Sequence, residues 1–530
     1  MEGSADRAVA LTAARRAAEA EGEGLGDLAT ERQALSDEWG LIEQAATRLL
    51  AEPGSAGQRA TLGQRREAVE RRIAEIDARL QREAPAYFAF TRPQALALSE
   101  VQAMLAPDEA VLLAVPTRYG THMMAVSQNA IGWHRSQLDE VELGKRVTRL
   151  LWDVGANVDV SPAQSQIWQR EGEGAYPFDR GTAFALYREL VAPLDAVLAG
   201  KEHVFVASAG SLSSLPLALL VTEQPQGPDG DPAALRETRW LADRFALVQI
   251  PSLAALKALR GIVRQDDREK AASFKGFGDP VLLGSGVARG GSRLARRSGG
   301  GTAALASYFV NGTRSGERRL ADVDSLRSLA RLPGTAREIA SLAQAFEAQP
   351  GDVFTEARAT ETNLRAIDLS QIGVLALATH GLVAGEADGY SEPGLVFTPP
   401  MEARVEDDGL LTTSEIAALR MDAEWVILSA CNTAGGDGEA GAPGLSGLAR
   451  AFFYAGARNI LASHWPVRDD IAPRITVRTV ELRQQNPEMS RAQAFRQALR
   501  EVRNDPAADS EDDTWAHPSA WAPFVLIGDR

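Results

Sequence analysis

The chain has 530 residues, 45% apolar and 24% charged, which is long enough for several domains and ordinary for a globular protein. A net charge of -15 argues against a nucleic-acid or anionic-membrane partner. A single cysteine rules out an internal disulfide framework. With no signal-like apolar region at the N-terminus and no membrane-length apolar run, the expected compartment is the cytoplasm.

The first 85 residues read as helical. Leu25, Leu28, Leu35, Trp39, Ile42 and Leu49 fall on heptad seam positions. After the turn AEPGSAG (51–57), Leu62, Val69, Ile73, Ile76 and Leu80 repeat the spacing. Two amphipathic helices joined by a Pro/Gly turn predict an antiparallel hairpin. It is either a packing arm or a surface for an activating partner, and no 34-residue repeat is visible.

Residues 86–283 read as an α/β unit with a largely parallel sheet. AVLLAVPTRYGTHMMAVS (110–127) predicts two strands around a turn, and HVFVAS (203–208) a short buried strand. Residues 284–331 are rich in glycine, serine and arginine and read as an exposed linker. Arg289, Arg293, Arg296 and Arg297 are its candidate protease-sensitive or docking residues.

Residues 332–530 carry the clearest pattern. TAREIASLAQAF (335–346) predicts a helix with Thr335 as N-cap. Strands are expected at 353–355, 372–378, 394–398, 425–430, 459–463 and 524–527, with helices between them. The apolar runs 372–378 and 425–430 are expected to be central and buried on both faces.

Two of these strands end in reactive residues: LALATHG at His380-Gly381 and WVILSAC at Cys431. Ligands of open parallel sheets bind at the carboxyl ends of strands. If the two strands are parallel neighbours, a thiol and an imidazole rise at one edge, which makes an activated nucleophile. The backbone N–H groups of Gly381 and Cys431 are candidate oxyanion donors. Taken singly, a buried cysteine is a small hydrophobe and a strand-end histidine a structural residue. The 51-residue spacing matches the caspase pattern, with its histidine roughly 50 residues upstream. Asp437, Asp469 and Asp470 are candidate cleft acids, which would favour a basic substrate side chain. His122, His134 and His517 read as structural. No metal-ligand spacing or phosphate loop stands out, so neither metal nor cofactor is expected.

The ordered blocks LALATHG, EPGLVFTPP, DGLLTTSEIAAL, WVILSACNTAGG, GLARAFFYAGARNILASHWPV and HPSAWAPFVLIGD resemble those of CHAT-domain peptidases. These are caspase-like cysteine proteases related to separases and often attached to tetratricopeptide repeats. The resemblance runs from about residue 86 to the end and is strongest from Leu332. It implies a three-layer caspase-like α/β sheet with helices on both faces, preceded by a pseudo-protease α/β unit and the helical hairpin. It puts the nucleophile on Cys431 and its partner on His380. His464 departs from the family's usual leucine and is a rival histidine at the cleft. The implied function is cleavage of a specific protein in bacterial defence or signalling, such as a gasdermin or a neighbouring-gene product. The alternatives are a catalytically silent scaffold of the same fold and a hydrolase using Ser208 or Ser211, which lack a G-x-S-x-G elbow.

Overall fold

The computed structural model describes residues 14–15, 18, 21–49, 56–84, 87, 96–156, 158, 160–161, 164, 177–261, 273–284, 314–315, 318–382, 393–430, 447–465, 467–468, 470–509 and 514–530. Contacts divide the chain into two compact units, 4–95 and 96–530. No helix among the described residues is long and apolar enough to cross a membrane.

The first unit is built on α1 (Leu25–Leu49) and α2 (Ala56–Glu83). Leu25, near the start of α1, shares a buried cluster with Ile76, Leu80 and Tyr87, near the end of α2 and beyond it. The ion pairs Glu31–Arg72 and Glu38–Arg65 fix the antiparallel register, since seven residues forward on α1 match seven back on α2. Trp39, expected in the seam, is exposed and donates its indole N–H to Glu70.

Residues 96–530 are organised by an 11-stranded sheet. Its upstream part contains β1 (Glu109–Thr117), β2 (Gly120–Ser127), β3 (Ile131–Ser136), β4 (His203–Ser208) and β5 (Ala246–Gln249), with α3 (Glu140–Asp153) after β3 and α4 (Leu253–Gly261) after β5. Next come β6 (Phe274–Pro280) and a small hairpin, β7 (Arg314–Ser315) with β8 (Arg318–Arg319). The rest comprises α5 (Pro333–Ala345), β9 (Val353–Glu356), α6 (Glu361–Arg365), β10 (Val374–Ala378), β11 (Gly381–Leu382), β12 (Gly394–Val396), β13 (Leu410–Thr412), α7 (Thr413–Ala418), β14 (Trp425–Leu428), α8 (Gly447–Ala455), β15 (Asn459–Ser463), α9 (Ala472–Gln485), α10 (Arg491–Asn504) and β16 (Phe524–Gly528). The strand order is β3-β2-β1-β4-β5-β16-β15-β14-β10-β6-β9, and β11-β12-β13 form a separate small sheet. The residues Arg289, Arg293, Arg296 and Arg297 lie outside the described residues.

The α/β class expected from the sequence is the one observed, but the upstream sheet is not largely parallel. β1, β2 and β3 form an antiparallel meander, and β3 was not foreseen because IGWHRS alternates exposed and half-buried residues without an apolar run. β1, β4, β5 and β16 run parallel to one another. β15, β14, β10, β6 and β9 also run parallel to one another, and β15 meets β16 antiparallel. The carboxyl ends of the two groups therefore open at opposite edges.

Every residue of β10, β14 and β15 is buried, and since side chains alternate, both faces are covered. Val374, Ala376, Ala378, Trp425, Ile427 and Leu461 share a core with Ile339 and Leu342 of α5 and Ile475 of α9. The alternate residues are buried on the other face, where α8 packs on β15 and pairs with α7. On β6, glycines admit α5 to the sheet, for a Cβ at Gly276 would meet Ile339 at 2.6 Å. The expected N-cap at Thr335 is wrong by one turn. The helix opens at Pro333, whose fixed φ suits a first helical position, and Thr335 lies inside it.

Candidate active site

β10 and β14 are neighbouring parallel strands with Leu377 opposite Leu428. The backbone pairing continues beyond them, for Ser429 N–H donates to Leu377 C=O at 2.9 Å. The end of β14 is held at two further points. Ser429 Oγ donates to the buried Glu338 of α5 at 2.9 Å, and Ser463 Oγ donates to Ala430 C=O at 2.6 Å. Cys431 and residues 432–446 lie outside the described residues, as does Asp437 among them. The described chain thus ends one peptide bond before the candidate nucleophile.

His380 lies two residues past β10, where the chain leaves the main sheet for β11. Its main chain is clasped by Val396 of β12. Val396 N–H donates to His380 C=O at 3.0 Å, and Thr379 Oγ1 donates to Val396 C=O. The half-buried ring has Nε2 2.8 Å from Ala330 C=O. A carbonyl only accepts, so Nε2 carries the proton, and Nδ1 of the neutral ring is the basic nitrogen.

The peptide bond from His380 to Gly381 is trans, like every described peptide bond. Because His380 C=O points to β12, the N–H of Gly381 points the opposite way. Gly381 itself pairs with Leu395 across β11 and β12. The site therefore sets an imidazole of defined tautomer and one outward backbone donor at the carboxyl end of a central strand.

The family model of the CHAT domain matches residues 180–529, about two thirds of the chain. The chain belongs to the CHAT domain family. Tetratricopeptide repeat protein 28 of Mus musculus is 31% identical over 170 residues, which cover 29% of this chain and 6% of that protein. The Homo sapiens protein of the same name is 25% identical over 226 residues, covering 37% and 8%. The chain spans less than a tenth of the length of these curated relatives. The Saccharomyces cerevisiae separase–securin complex at 2.6 Å is a structural neighbour with TM-score 0.39 and 10% identity, over 84% of this chain and 31% of that one. The complex of Porphyromonas gingivalis RgpB pro- and mature domains has TM-score 0.32 and 11% identity, over 79% and 78%.

Within this CHAT domain the remaining candidates fall in different places. His464 follows β15, which β14 separates from β10. Its buried ring lies 3.3 Å from the Gln249 amide nitrogen of β5, and its Nδ1 has no partner among the described residues. Burial pushes this imidazole down to about 3, so it stays neutral at physiological pH. Asp469 lies outside the described residues. Asp470 is paired with Arg468 at 2.7 Å. Burial pushes its carboxyl up, but the Arg468 guanidinium together with its own backbone N–H and the Trp515 indole N–H outweighs that and holds it below the ordinary range.

Ser208 ends β4, so it sits at the sheet edge opposite His380. A hydrogen-bonded chain at another place joins Ser490 Oγ to His203 Nε2 at 2.7 Å and His203 Nδ1 to Asp108 at 3.0 Å. It has the order of a serine triad, but the Ser490 hydroxyl caps α10 by accepting from Gln493 N–H. The same hydroxyl therefore also serves the helix end.

Sequence reasoning missed Ala330, Val396 and Glu338. The first two act through main-chain groups, which leave no mark on residue identity. Glu338 did leave one, because it stands with Thr335, Ile339 and Leu342 on the buried stripe of α5. A carboxylate in such a stripe signals a buried polar contact.

Proposed function

We propose that this CHAT domain is a cysteine endopeptidase in which Cys431 is the nucleophile and His380 its proton-transfer partner. One observation carries the reading. The 51-residue offset between Leu377 and its register partner Leu428 is also the offset between His380 and Cys431. Parallel neighbours in that register lead both residues to the same edge of the sheet, where ligands of such sheets bind. Ser429 N–H keeps the register one residue beyond the strand.

The chemistry follows from the ring's tautomer. The thiol gives its proton to Nδ1, and the resulting imidazolium keeps Nε2–H on Ala330 C=O. The thiolate attacks the scissile carbonyl carbon, and the oxyanion is met by the N–H of Gly381 and of Cys431. Collapse expels the amine, which takes the Nδ1 proton, and leaves a thioester. Water then attacks with Nδ1 as base, releasing the acid and restoring the thiol.

The substrate is a specific protein, with a gasdermin or a neighbouring-gene product as the candidates carried by the family resemblance. An activating partner docks through the N-terminal helices. The test is covalent labelling by a peptidyl acyloxymethyl ketone, which reacts with an activated thiol. Cys431 is the only thiol in the chain, so the adduct is unambiguous. Labelling is expected in the parent and is lost in Cys431→Ala and His380→Gln. Failure of the native protein to label, with or without its partner, would support the catalytically silent scaffold instead.

A further inference from the structure

His380 Nε2 is oriented by a carbonyl that belongs to the short segment between β8 and α5, outside the main sheet. A carbonyl on a loose segment orients nothing, so the means of holding Ala330 matters.

The next residue, Arg331, is held by two carboxylates. Its Nε and one terminal nitrogen make a forked pair with Asp279 at 3.1 and 2.8 Å, and that terminal nitrogen reaches Glu356 at 2.6 Å. Asp279 is only 3% exposed, although Arg331 is 51% exposed. The hydrogen bond to Asp279, ahead of the charge attraction, raises the guanidinium further above its usual range.

The backbone is bent to aim both carboxylates. Asp279 sits at the register shift where Gly278 and Pro280 of β6 pair with β9, and its φ is +46°. Glu356 ends β9 with φ +51°. Among the described residues only three that are not glycine have positive φ, and two of them hold Arg331. Bulges of this kind re-aim a side chain next to a site, at a cost in backbone strain. A second tie comes from α5. Asp279 N–H donates to Thr335 Oγ1 at 2.8 Å, and Thr335 Oγ1 donates to Leu332 C=O at 2.7 Å. Residues 331 and 332 are thus both tied to Asp279, and Ala330 is bridged to Gly284 on its other side.

We propose that Asp279, Arg331 and Glu356 form a positioning clamp that holds the Ala330 carbonyl on the His380 ring and so sets the imidazole for thiol activation. The clamp rests on the dyad reading above, since it acts through His380 and touches no reacting atom.

The single thiol provides a test that needs no substrate. The rate of iodoacetamide alkylation against pH gives the midpoint at which the Cys431 thiolate forms. His380→Gln tests the dyad, while Asp279→Asn and Arg331→Lys test the clamp. Asparagine tolerates positive φ and keeps the size of aspartate. Lysine keeps the charge of arginine but not its fork. Each clamp variant is expected to raise the midpoint by up to about one pH unit, the worth of one hydrogen bond to a charged group. Direction decides between clamp and simple charge. Removing a carboxylate by charge alone favours the thiolate and lowers the midpoint, whereas loss of the clamp raises it. An unchanged or lowered midpoint in Asp279→Asn overturns the clamp, and so does a parent-like Arg331→Lys. If His380→Gln itself leaves the midpoint unmoved, the dyad reading fails. If His380→Gln moves it and the clamp variants do not, only the clamp fails. Arg331→Lys alters an exposed residue, so it remains informative should Asp279→Asn not fold.

Discussion

The sharpest consequence of the proposed dyad is a thiol that ionises more easily than an ordinary one. Neighbouring strands lie roughly 4.8 Å apart, so the proposed dyad calls for an imidazolium and a thiolate about 5 Å from each other. At an effective dielectric of about 20, that pair is worth about 3 kcal/mol, or about two pK units. A thiol of ordinary pKa about 8.5 then titrates near about 6.5. At pH 6.5 its thiolate fraction rises from about 1% to about one half, close to fiftyfold. The more acidic thiolate is a poorer nucleophile, by about eightfold for two units, so the net gain in alkylation rate is about sixfold. The midpoint is therefore a better readout than the rate. With iodoacetamide and mass detection, it is expected near pH 6.5 in the parent and near 8.5 in His380→Gln, with a faster plateau for the variant at high pH. A midpoint near 8.5 in both proteins would refute the pairing and with it the assigned base.

Other predictions follow from the packing around the strand ends. Gly276→Ala puts a Cβ at 2.6 Å from Ile339 and 2.8 Å from the Phe274 ring, so α5 must shift, and urea unfolding should report a loss of about 1–3 kcal/mol. Stability equal to the parent's would mean that α5 does not pack as described. Glu338→Ala withdraws the acceptor of Ser429 and Thr476, and the same measurement should show about 2–3 kcal/mol lost. Burial pushes the Asp153 carboxyl up to about 7, outweighing Arg149 and the Asp179 N–H. The folded chain then holds an extra proton between about pH 4 and 7, and stability declines as pH rises through that window. Asp153→Asn, whose amide oxygen still accepts from Arg149 and Asp179, should be more stable relative to the parent at pH 8 than at pH 5. A difference that does not change with pH would contradict this assignment.

The parts of the fold that could be read in the sequence were those written in side chains. Strands β10 and β14 lie within continuous apolar runs, so their burial was legible, and β15 was legible as a strand at 459–463. β3 was not, because an edge strand that carries Trp133 and Ile131 on an exposed face lacks the apolar alternation that marks a half-buried one. β6 was also missed as a strand. In FKGFGDP the glycines that admit α5 suppress strand propensity, so the local signal opposed the tertiary role. The continuity of the sheet across β16 and β15 depends on pairing between distant segments, which no local pattern encodes.

The same division explains what was legible at the site. The spacing of His380 and Cys431 looked like a motif, and the register shows why such a spacing has physical content. It equals the offset between two parallel neighbours, so any insertion between β10 and β14 that respected the register would change the number and leave the geometry. The spacing is thus a weaker constraint than the strand adjacency it stands for. What orients the ring lies elsewhere, in the Ala330 carbonyl and in the bulged carboxylate that holds its neighbour. Of these only Asp279 has a side chain that sequence can display, within FGDP. A residue in the left-handed region whose carboxylate is buried against an exposed arginine is hard to justify by stability alone. Its cost makes sense if the segment it holds must stay still while the imidazole beside it gains and loses a proton.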